Sequence, residues 1–298
     1  MSSYFTKIRI EAQSATRELI AALATGPSSP LRSRLRKCGT STEYKNSVAC
    51  GAVACAKCRE TYVRKQVAAV QAALAGANND DLVMVSIVLE LVGSVTEIGP
   101  SFASAKRKLR NIIEQNRRSR ASWCDLQVVG WMEVDAFEPE RFVDLLPHKK
   151  AQFEAMGVPY AGEGPVWVTT LHGIVSLAGV DRHALARELE RGWSIATQVH
   201  AQPFDGARSV SDNINSVVRY SLKHRSVSNA HVTGPEPWTV VWRKAYYEYL
   251  NQWSRSFQSV RVWIRPRSYL ANIDEFEQQE MSGNETVERY LEPMPMLF

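Results

Sequence analysis

The sequence lacks the long apolar runs that a membrane protein needs. A membrane-spanning helix takes about 20 consecutive apolar residues, and no stretch of this 298-residue chain approaches that length. The first residues also lack the continuous apolar segment of a secretory signal peptide. We therefore expect a cytoplasmic protein with no membrane partner.

Two further shortages narrow the possible functions. Neither glycine-rich phosphate-binding signature occurs, which argues against a nucleoside triphosphatase, and no internal repeat is visible. Cysteine is scarce, with five residues in all, and four of these fall between positions 38 and 58. An odd and clustered set does not suit a disulfide framework, so we expect reduced thiols in this chain.

The clustered cysteines have a spacing that favours a metal site. A Cys-x-x-Cys pair can direct two thiolates at one tetrahedral zinc ion (Zn²⁺), and two further cysteines complete the four ligands. The alternatives are four thiols in a small core, or a redox pair, although no thioredoxin-like pattern surrounds this one. We predict a structural zinc site formed by Cys38, Cys50, Cys55 and Cys58.

Positive charge is unevenly spread along a chain whose net charge is only +5. Basic residues crowd around the cysteines and again in a predicted helix at Phe102–Arg120, whereas the last residues are acidic. Such asymmetry indicates a polyanionic partner, although a solvated helix face is the simpler alternative. The residues we predict to bind DNA within the second run are Lys106, Arg107, Lys108 and Arg110.

A strand–helix–strand–helix pattern between Val166 and His224 organises the rest of the chain. The first strand carries His172. Because side chains alternate between the two faces of a strand, His172 belongs to one face of the predicted sheet. The last helix has an apolar side and a polar stripe that holds Asn213, Tyr220 and Lys223. This polar stripe is suited to an anionic ligand, and we include Asn213 among the predicted DNA contacts.

An acidic pair interrupts the apolar strand predicted at Asp125–Phe137. Glu133 and Asp135 share one face of that strand, where an unpartnered carboxylate would be costly to bury. One possibility is that a bound metal ion balances this charge. The other is a pair at the end of the strand that meets arginine side chains.

At these residues the sequence resembles the rolling-circle replication initiators of bacterial plasmids, which belong to the HUH endonuclease superfamily. Those proteins carry a His-apolar-His strand, and here the strand reads Thr170-Leu171-His172, with threonine at the first histidine position. They also carry a Tyr-x-x-Lys helix, matched by Tyr220-Ser221-Leu222-Lys223. The resemblance covers roughly residues 38–224.

The resemblance implies site-specific nicking of one DNA strand at a plasmid origin, in the bacterial cytoplasm. Tyr220 would be the nucleophile, and Lys223 would stabilise the developing charge or lower the tyrosine pKa. His172 and Glu133 would hold a catalytic Mn²⁺ or Mg²⁺ ion. The implied partners are origin DNA, single-stranded DNA and the host replication machinery.

We expect an α+β fold, with a central, mainly antiparallel sheet flanked by helices. Residues 1–75 would form an N-terminal helix and the basic zinc region, and residues 76–230 the HUH-like nicking domain. Residues 231–298 would form a helical, aromatic-rich C-terminal region with an acidic tail.

Two other functions are compatible with the same residues. A DNA-binding protein that kept the fold but lost catalysis would explain Thr170 at the first histidine position. A structural zinc protein without a DNA role is the third alternative, and the basic runs argue against it.

Overall fold

The structure is a computed structural model that describes residues 14, 16–24, 29–40, 48–137, 139–158, 165–222, 227–228, 236–237, 244–249 and 260–268. Within these ranges no helix has both the length and the apolar character needed to cross a membrane. The acidic tail and most of the aromatic segment that follows Pro235 lie outside the described residues.

Helices and strands alternate along most of the chain. In order they are α1 (Pro30–Lys37), α2 (Ala56–Ala73), β1 (Leu82–Val92), α3 (Ile98–Ser119), β2 (Gln127–Phe137), α4 (Pro147–Met156), β3 (Val166–Ser176), α5 (Arg182–Gly192), β4 (Val199–Pro203), α6 (Val210–Ser221), β5 (Val227–Ser228), β6 (Glu236–Pro237) and β7 (Arg261–Ile264). Short 3₁₀ helices lie at Asn79–Asp81, Val95–Glu97, Ala121–Trp123 and Pro139–Asp144. Residues 16–22 and 244–249 are also helical.

Five strands form one sheet in the order β4-β1-β3-β2-β7, and each neighbouring pair is antiparallel. Strand β3 is central and is buried along nearly its whole length. This burial agrees with its sequence, in which apolar residues occupy both faces. The predicted α+β class with an antiparallel sheet and flanking helices is therefore confirmed.

The two faces of the sheet are covered by different helices. The face that carries Ser86, Trp131 and His172, here called the histidine face, packs against the apolar sides of α2 and α6. The opposite face, here called the α3 face, carries Leu171 and Val175 and packs against α3 and α5. The helix with the predicted nucleophile therefore lies on the same side of the sheet as His172.

A bulge in β1 corrects one expectation from the sequence. Ser86 and Glu90 are the polar residues of an otherwise apolar run in the sequence, and strict alternation would place them on one face, but the register shifts between Val88 and Glu90. Ser86 pairs with His172, whereas Glu90 pairs with Thr169, whose side chain points to the α3 face. One extra residue in a strand reverses the facing of every residue after it, so Glu90 is exposed and lies away from the histidine face.

The C-terminal region differs from the predicted helical arrangement at residues 261–264. These residues form β7, which pairs with β2 at the outer edge of the described sheet. The reason is a two-residue period, since Val262 and Ile264 are buried while Arg261 and Trp263 face the other way. Part of this region therefore completes the sheet.

Two glycines allow β2 and β3 to approach closely beside His172. Gly130 pairs directly with Gly173. A Cβ atom on Gly173 would lie 2.8 Å from the carbonyl oxygen of Val129, and one on Gly130 would lie 2.9 Å from that of His172. Neither backbone carbonyl can move away without disturbing the pairing of the strands that carry Glu133 and His172.

We predict that Gly173→Ala lowers the free energy of unfolding by about 1–3 kcal/mol, the usual cost of an overpacked interior site. Urea denaturation of the purified protein measures this change. Gly206→Ala is the matched control, because its Cβ would meet no atom within 4 Å. Equal stability of the two variants would contradict the close-approach account.

Candidate functional site

His172 is a buried imidazole with both ring nitrogens engaged. The hydroxyl of Ser86 lies 2.8 Å from Nδ1, in the neighbouring strand β1. On the other side, Nε2 donates to Oε2 of Glu133 in β2 over 2.8 Å. The ring is therefore fixed in orientation by one residue from each adjacent strand.

Glu133 accounts for the acidic interruption of β2. Its side chain is 7% exposed, as is that of His172, so the carboxylate lies in the interior of the sheet. A buried carboxylate is tolerated when hydrogen-bonded partners satisfy it. The structure thus brings together the two residues that the family resemblance grouped, and one partner of Glu133 is the imidazole of His172.

Tyr220 lies over this pair from the last turn of α6. Its ring meets that of His172 edge to face, with ring centroids 5.0 Å apart and an interplanar angle of 79°. At 44% exposure it is one of the few large hydrophobic side chains among the described residues that reach solvent. A tyrosine that contacts a buried histidine on one side and water on the other is accessible to a large substrate.

Helix α6 is held against α2 by polar contacts along its length. Near its C-terminal end, Arg219 forms an ion pair with Glu60 at 3.2 Å. Near its start, the amide of Gln71 donates to the hydroxyl of Ser211 at 2.7 Å. The helices therefore run antiparallel, and Tyr220 lies beside the first turns of α2.

The cysteine cluster lies at this end of α2, where Cys58 is in the first turn and Cys55 is the N-cap. The sulfur atoms of Cys38, Cys50, Cys55 and Cys58 lie within 4.8 Å of one another, and their closest contacts are 3.4 and 3.5 Å. Zinc–sulfur bonds of about 2.3 Å in a tetrahedron separate sulfur atoms by about 3.8 Å. The predicted gathering of the four cysteines is confirmed, and the cluster can hold a metal ion.

The four thiols also perturb one another's protonation. Hydrogen bonds to Cys55 and Cys58, together with burial, raise the pKa of the Cys50 thiol. Hydrogen bonds from Cys50 and Cys55 lower the pKa of Cys58 to about 2. Without a cation only part of the cluster would ionise, because thiolates in contact repel one another. A bound metal ion removes that restriction by replacing the protons.

Arg59 links the cysteine cluster to the end of the tyrosine helix. Its Nε donates to the carbonyl of Val53 in the cysteine loop at 3.1 Å, and its Nη1 donates to the carbonyl of Leu222 at 3.2 Å. Leu222 is the residue that ends α6. Because Arg59 directly follows Cys58, it connects the cluster to the last turn of α6.

The predicted catalytic metal site does not fit the described residues. His172 and Glu133 offer two atoms that could bind a metal ion, Nε2 and Oε2, and in the structure these two atoms are hydrogen-bonded to each other. Among the parts of the chain that the structure describes, the one cluster of three or more candidate ligands is the cysteine cluster. Thr170 lies half-buried on the same strand and is a poor ligand. We therefore derive no reaction step through a catalytic Mn²⁺ or Mg²⁺ ion.

Asn213 has a different environment from the one predicted for a DNA contact. It is 5% exposed, and its amide donates to Oδ1 of Asn79 at 3.0 Å and to the carbonyl of Asp205 at 2.9 Å. The side chain therefore joins the loop before α6 to the 3₁₀ helix that precedes β1. This placement gives the predicted DNA contact no support.

The basic run of α3 lies across the sheet from Tyr220. Arg107 and Lys108 line a groove of about 710 Å³ between α3 and α5. Lys108 lies 5.0 Å from the centre of the Trp193 ring. Lys106 is half-buried and close to Arg261 of β7. Lys223 lies outside the described residues, so its proposed role stays a prediction from the sequence.

Ser86 and Arg59 are site residues to which the sequence assigned no role. Ser86 was visible as a lone hydroxyl in an otherwise apolar strand, which is a usable signal for a buried polar partner. Arg59 was visible only as one of several basic residues after the cysteines. Its contact with Leu222 joins positions 163 residues apart, which no local pattern indicates.

Comparison of the chain with models of protein families, with curated proteins and with solved structures found no match. Function therefore has to be inferred from the geometry of Tyr220, His172 and Glu133 and from the cysteine cluster.

We predict that the purified protein contains about one metal ion per chain, bound by the four thiolates. Replacing Cys55 and Cys58 together by serine should abolish this metal and lower the melting temperature, as measured by elemental analysis and thermal denaturation. Acidification should release the metal, because protons compete for the thiolates. Cys124→Ser is the control, since Cys124 lies outside the cluster. A metal-free protein with unchanged stability would contradict the assignment.

Proposed function

We propose that this protein nicks single-stranded DNA through Tyr220, as the rolling-circle replication initiators do. The observation that carries the proposal is the position of Tyr220, which is exposed at the end of α6 and seated on the buried His172. A tyrosine kept only for packing would be expected among Ile214, Val218 and Leu222, on the apolar side of the same helix.

In the reaction, one phosphodiester linkage of the DNA is exchanged for a phosphodiester linkage to the tyrosine. The Tyr220 oxygen forms a bond to the phosphorus of the DNA backbone, and the bond from phosphorus to the 3′ oxygen breaks. The phenol proton is lost and one proton is taken up by the 3′ oxygen. The products are a 5′-phosphotyrosine adduct and a 3′-hydroxyl end that a polymerase can extend.

In this reaction His172 is a positioning residue. Both of its ring nitrogens are occupied, by Ser86 and by Glu133, so it cannot accept the phenol proton without giving up a buried hydrogen bond. Its rigid ring instead supports one edge of the tyrosine and limits the directions in which the phenol oxygen points. Orientation of the nucleophile toward the phosphorus is a substantial part of such catalysis.

The substrate we propose is a plasmid origin, nicked in one strand in the bacterial cytoplasm. Host polymerase and helicase would then act on the free 3′ end. The metal that we propose for the cysteine cluster is zinc, since soft thiolate ligands in a tetrahedral set favour this ion. The zinc would be structural, because all four cysteine ligands would close its coordination shell.

Two observations favour a second function. Thr170 stands at the first histidine position, and the side chains of His172 and Glu133 are hydrogen-bonded to each other. A DNA-binding protein that kept the fold without the chemistry would show both features. The two proposals differ in whether a covalent protein–DNA adduct forms at all.

We predict that Tyr220→Phe abolishes nicking of a single-stranded oligonucleotide and the covalent adduct, because the ring is kept and the attacking oxygen is removed. DNA affinity and melting temperature should change little, since phenylalanine keeps the ring that contacts His172. Denaturing gel electrophoresis with added Mn²⁺, Mg²⁺ or chelator measures the adduct.

Tyr249→Phe is the matched control for this experiment. Its hydroxyl accepts from the amide of Gly99 at 2.8 Å and lies outside the site, so the change should cost about 1 kcal/mol of stability and leave the adduct intact. Adduct formation by Tyr220→Phe would show that another tyrosine attacks. Wild-type protein that forms no adduct under any of these conditions would favour the non-catalytic function.

A further inference from the structure

We propose that a groove along helix α1 binds the sugar–phosphate backbone of single-stranded DNA. The groove, called the α1 groove below, is lined by three cations and three hydroxyl groups, which belong to Ser29, Arg32, Ser33, Arg36, Lys37 and Thr40. The inference rests on the proposed function only for its choice of single-stranded DNA, and it is tested by binding rather than by cleavage.

The residues of the α1 groove lie along one side of a single helix. The four members within the helix, at positions 32, 33, 36 and 37, recur at intervals of three and four residues, which places them on the same side. Ser29 caps the start of α1, and Thr40 follows its end. The groove has a volume of about 450 Å³, and no acidic side chain is among the described residues that line it.

The three cations of the α1 groove have no anionic partner among the described residues. None of the ion pairs found there includes Arg32, Arg36 or Lys37. Arg34 of the same helix lies outside the groove and is engaged, since its Nε donates to the carbonyl oxygen of Cys50 over 3.1 Å. One arginine of α1 therefore holds the loop that carries the cysteines, whereas the three cations of the groove are available to a ligand.

Arg32 is the cation that a merely solvated helix face explains least. The helix dipole favours Arg36 and Lys37 in the last turn of α1, but it disfavours a cation such as Arg32 in the first turn. The Nε atom of Arg32 is also buried, and it finds no hydrogen-bond acceptor among the described residues. A buried donor without an acceptor is costly. An anion in the groove can accept from this guanidinium and balance its charge.

The chemistry of the groove suits a phosphodiester backbone better than a membrane surface. Guanidinium, ammonium and hydroxyl groups are the side-chain donors that contact phosphate oxygens in nucleic-acid complexes. A helix that binds an anionic membrane also inserts apolar side chains into the bilayer interface. Both leucines of α1, Leu31 and Leu35, are buried in the core, at 1% and 4% exposure. Helix α1 therefore has no large apolar side chain free to enter a bilayer.

The cysteine cluster adjoins both the α1 groove and the helix of the proposed nucleophile. Lys37 of the groove directly precedes Cys38, a member of the cluster. Arg59, which directly follows the last cysteine of the cluster, donates to the carbonyl oxygen of Leu222 at the end of α6. The groove between α3 and α5, by contrast, lies across the sheet from Tyr220. A nicking protein needs its strand on the side of the nucleophile, which favours the α1 groove.

The test measures binding of a fluorescent single-stranded oligonucleotide across a range of salt concentrations, with Tyr220→Phe protein so that no strand is cut. Replacing Arg32, Arg36 and Lys37 together by glutamine should make the log–log salt slope shallower by about 2, at about 0.7 per lost phosphate contact on a single strand. Replacing the two arginines by lysine instead should keep most of the slope, because the charges remain.

The control removes three positive charges elsewhere. Arg118 of α3 and Arg187 and Arg191 of α5 are exposed, and changing all three to glutamine should leave the slope unchanged. Metal content and melting temperature are measured for both triple variants, because α1 leads into the cysteine cluster. If the α1 variant loses its metal, Arg36→Gln and Lys37→Gln take its place singly. Both side chains are exposed, and each change should make the slope shallower by about 0.7.

Three results would overturn the proposal. The α1 variants could keep the affinity and slope of their parent, the control variant could show the same loss, or the lysine variant could lose the slope. Vesicles of anionic phospholipid provide a further comparison. If the α1 cations are needed for binding to these vesicles but not to the oligonucleotide, the groove is a membrane contact and the proposal is wrong.

The outcomes separate this proposal from the proposed function. If the wild-type protein forms no covalent adduct but the α1 variant loses salt-dependent affinity, the nicking proposal fails while the α1 groove stands as a DNA-binding surface. If the adduct forms at Tyr220 and the α1 variant binds normally, nicking stands and the α1 groove is not the surface that holds the strand.

Discussion

The hydrogen bond between His172 and Glu133 fixes the register of the two central strands, β2 and β3. A carboxylate buried in a sheet requires a partner, and removal of either member of a buried pair typically costs about 3–5 kcal/mol. The pair forms only in one register of β2 and β3, in which Gly130 and Gly173 also meet. A slip by one residue would turn Glu133 to the α3 face and bury it among apolar side chains.

The second constraint acts from outside the sheet. The cysteine cluster lies at the start of α2, and the contact from Arg59 to Leu222 joins it to the end of α6. Tyr220 therefore contacts the rigid ring of His172, and the end of its helix is joined through Arg59 to the loop that carries the cysteines. Both supports are built from residues far apart in the chain, so the position of the tyrosine depends on the complete fold.

The sequence predicted correctly those features that follow from a regular spacing of side chains along the chain. Alternation in β2 and β3 gave the correct facing of Trp131, Glu133 and His172, and cysteine spacing gave the cluster. It failed at Glu90, because a single bulge residue leaves no local signal. It also failed at Asn213 and β7, since a polar helix position and an Arg-Val-Trp-Ile segment reveal their environment only when tertiary partners are known. The separation of the α3 basic run from Tyr220 by the sheet is likewise a property of topology.

The most direct test of the account is to locate the DNA on the protein. Wild-type protein is incubated with a single-stranded oligonucleotide, trapped by denaturation and digested with protease, and the nucleotide-linked peptide is sequenced by mass spectrometry. The account predicts one modified peptide, with the nucleotide 5′-phosphate attached to the oxygen of Tyr220. Attachment to Tyr62, Tyr246 or any other residue would contradict it.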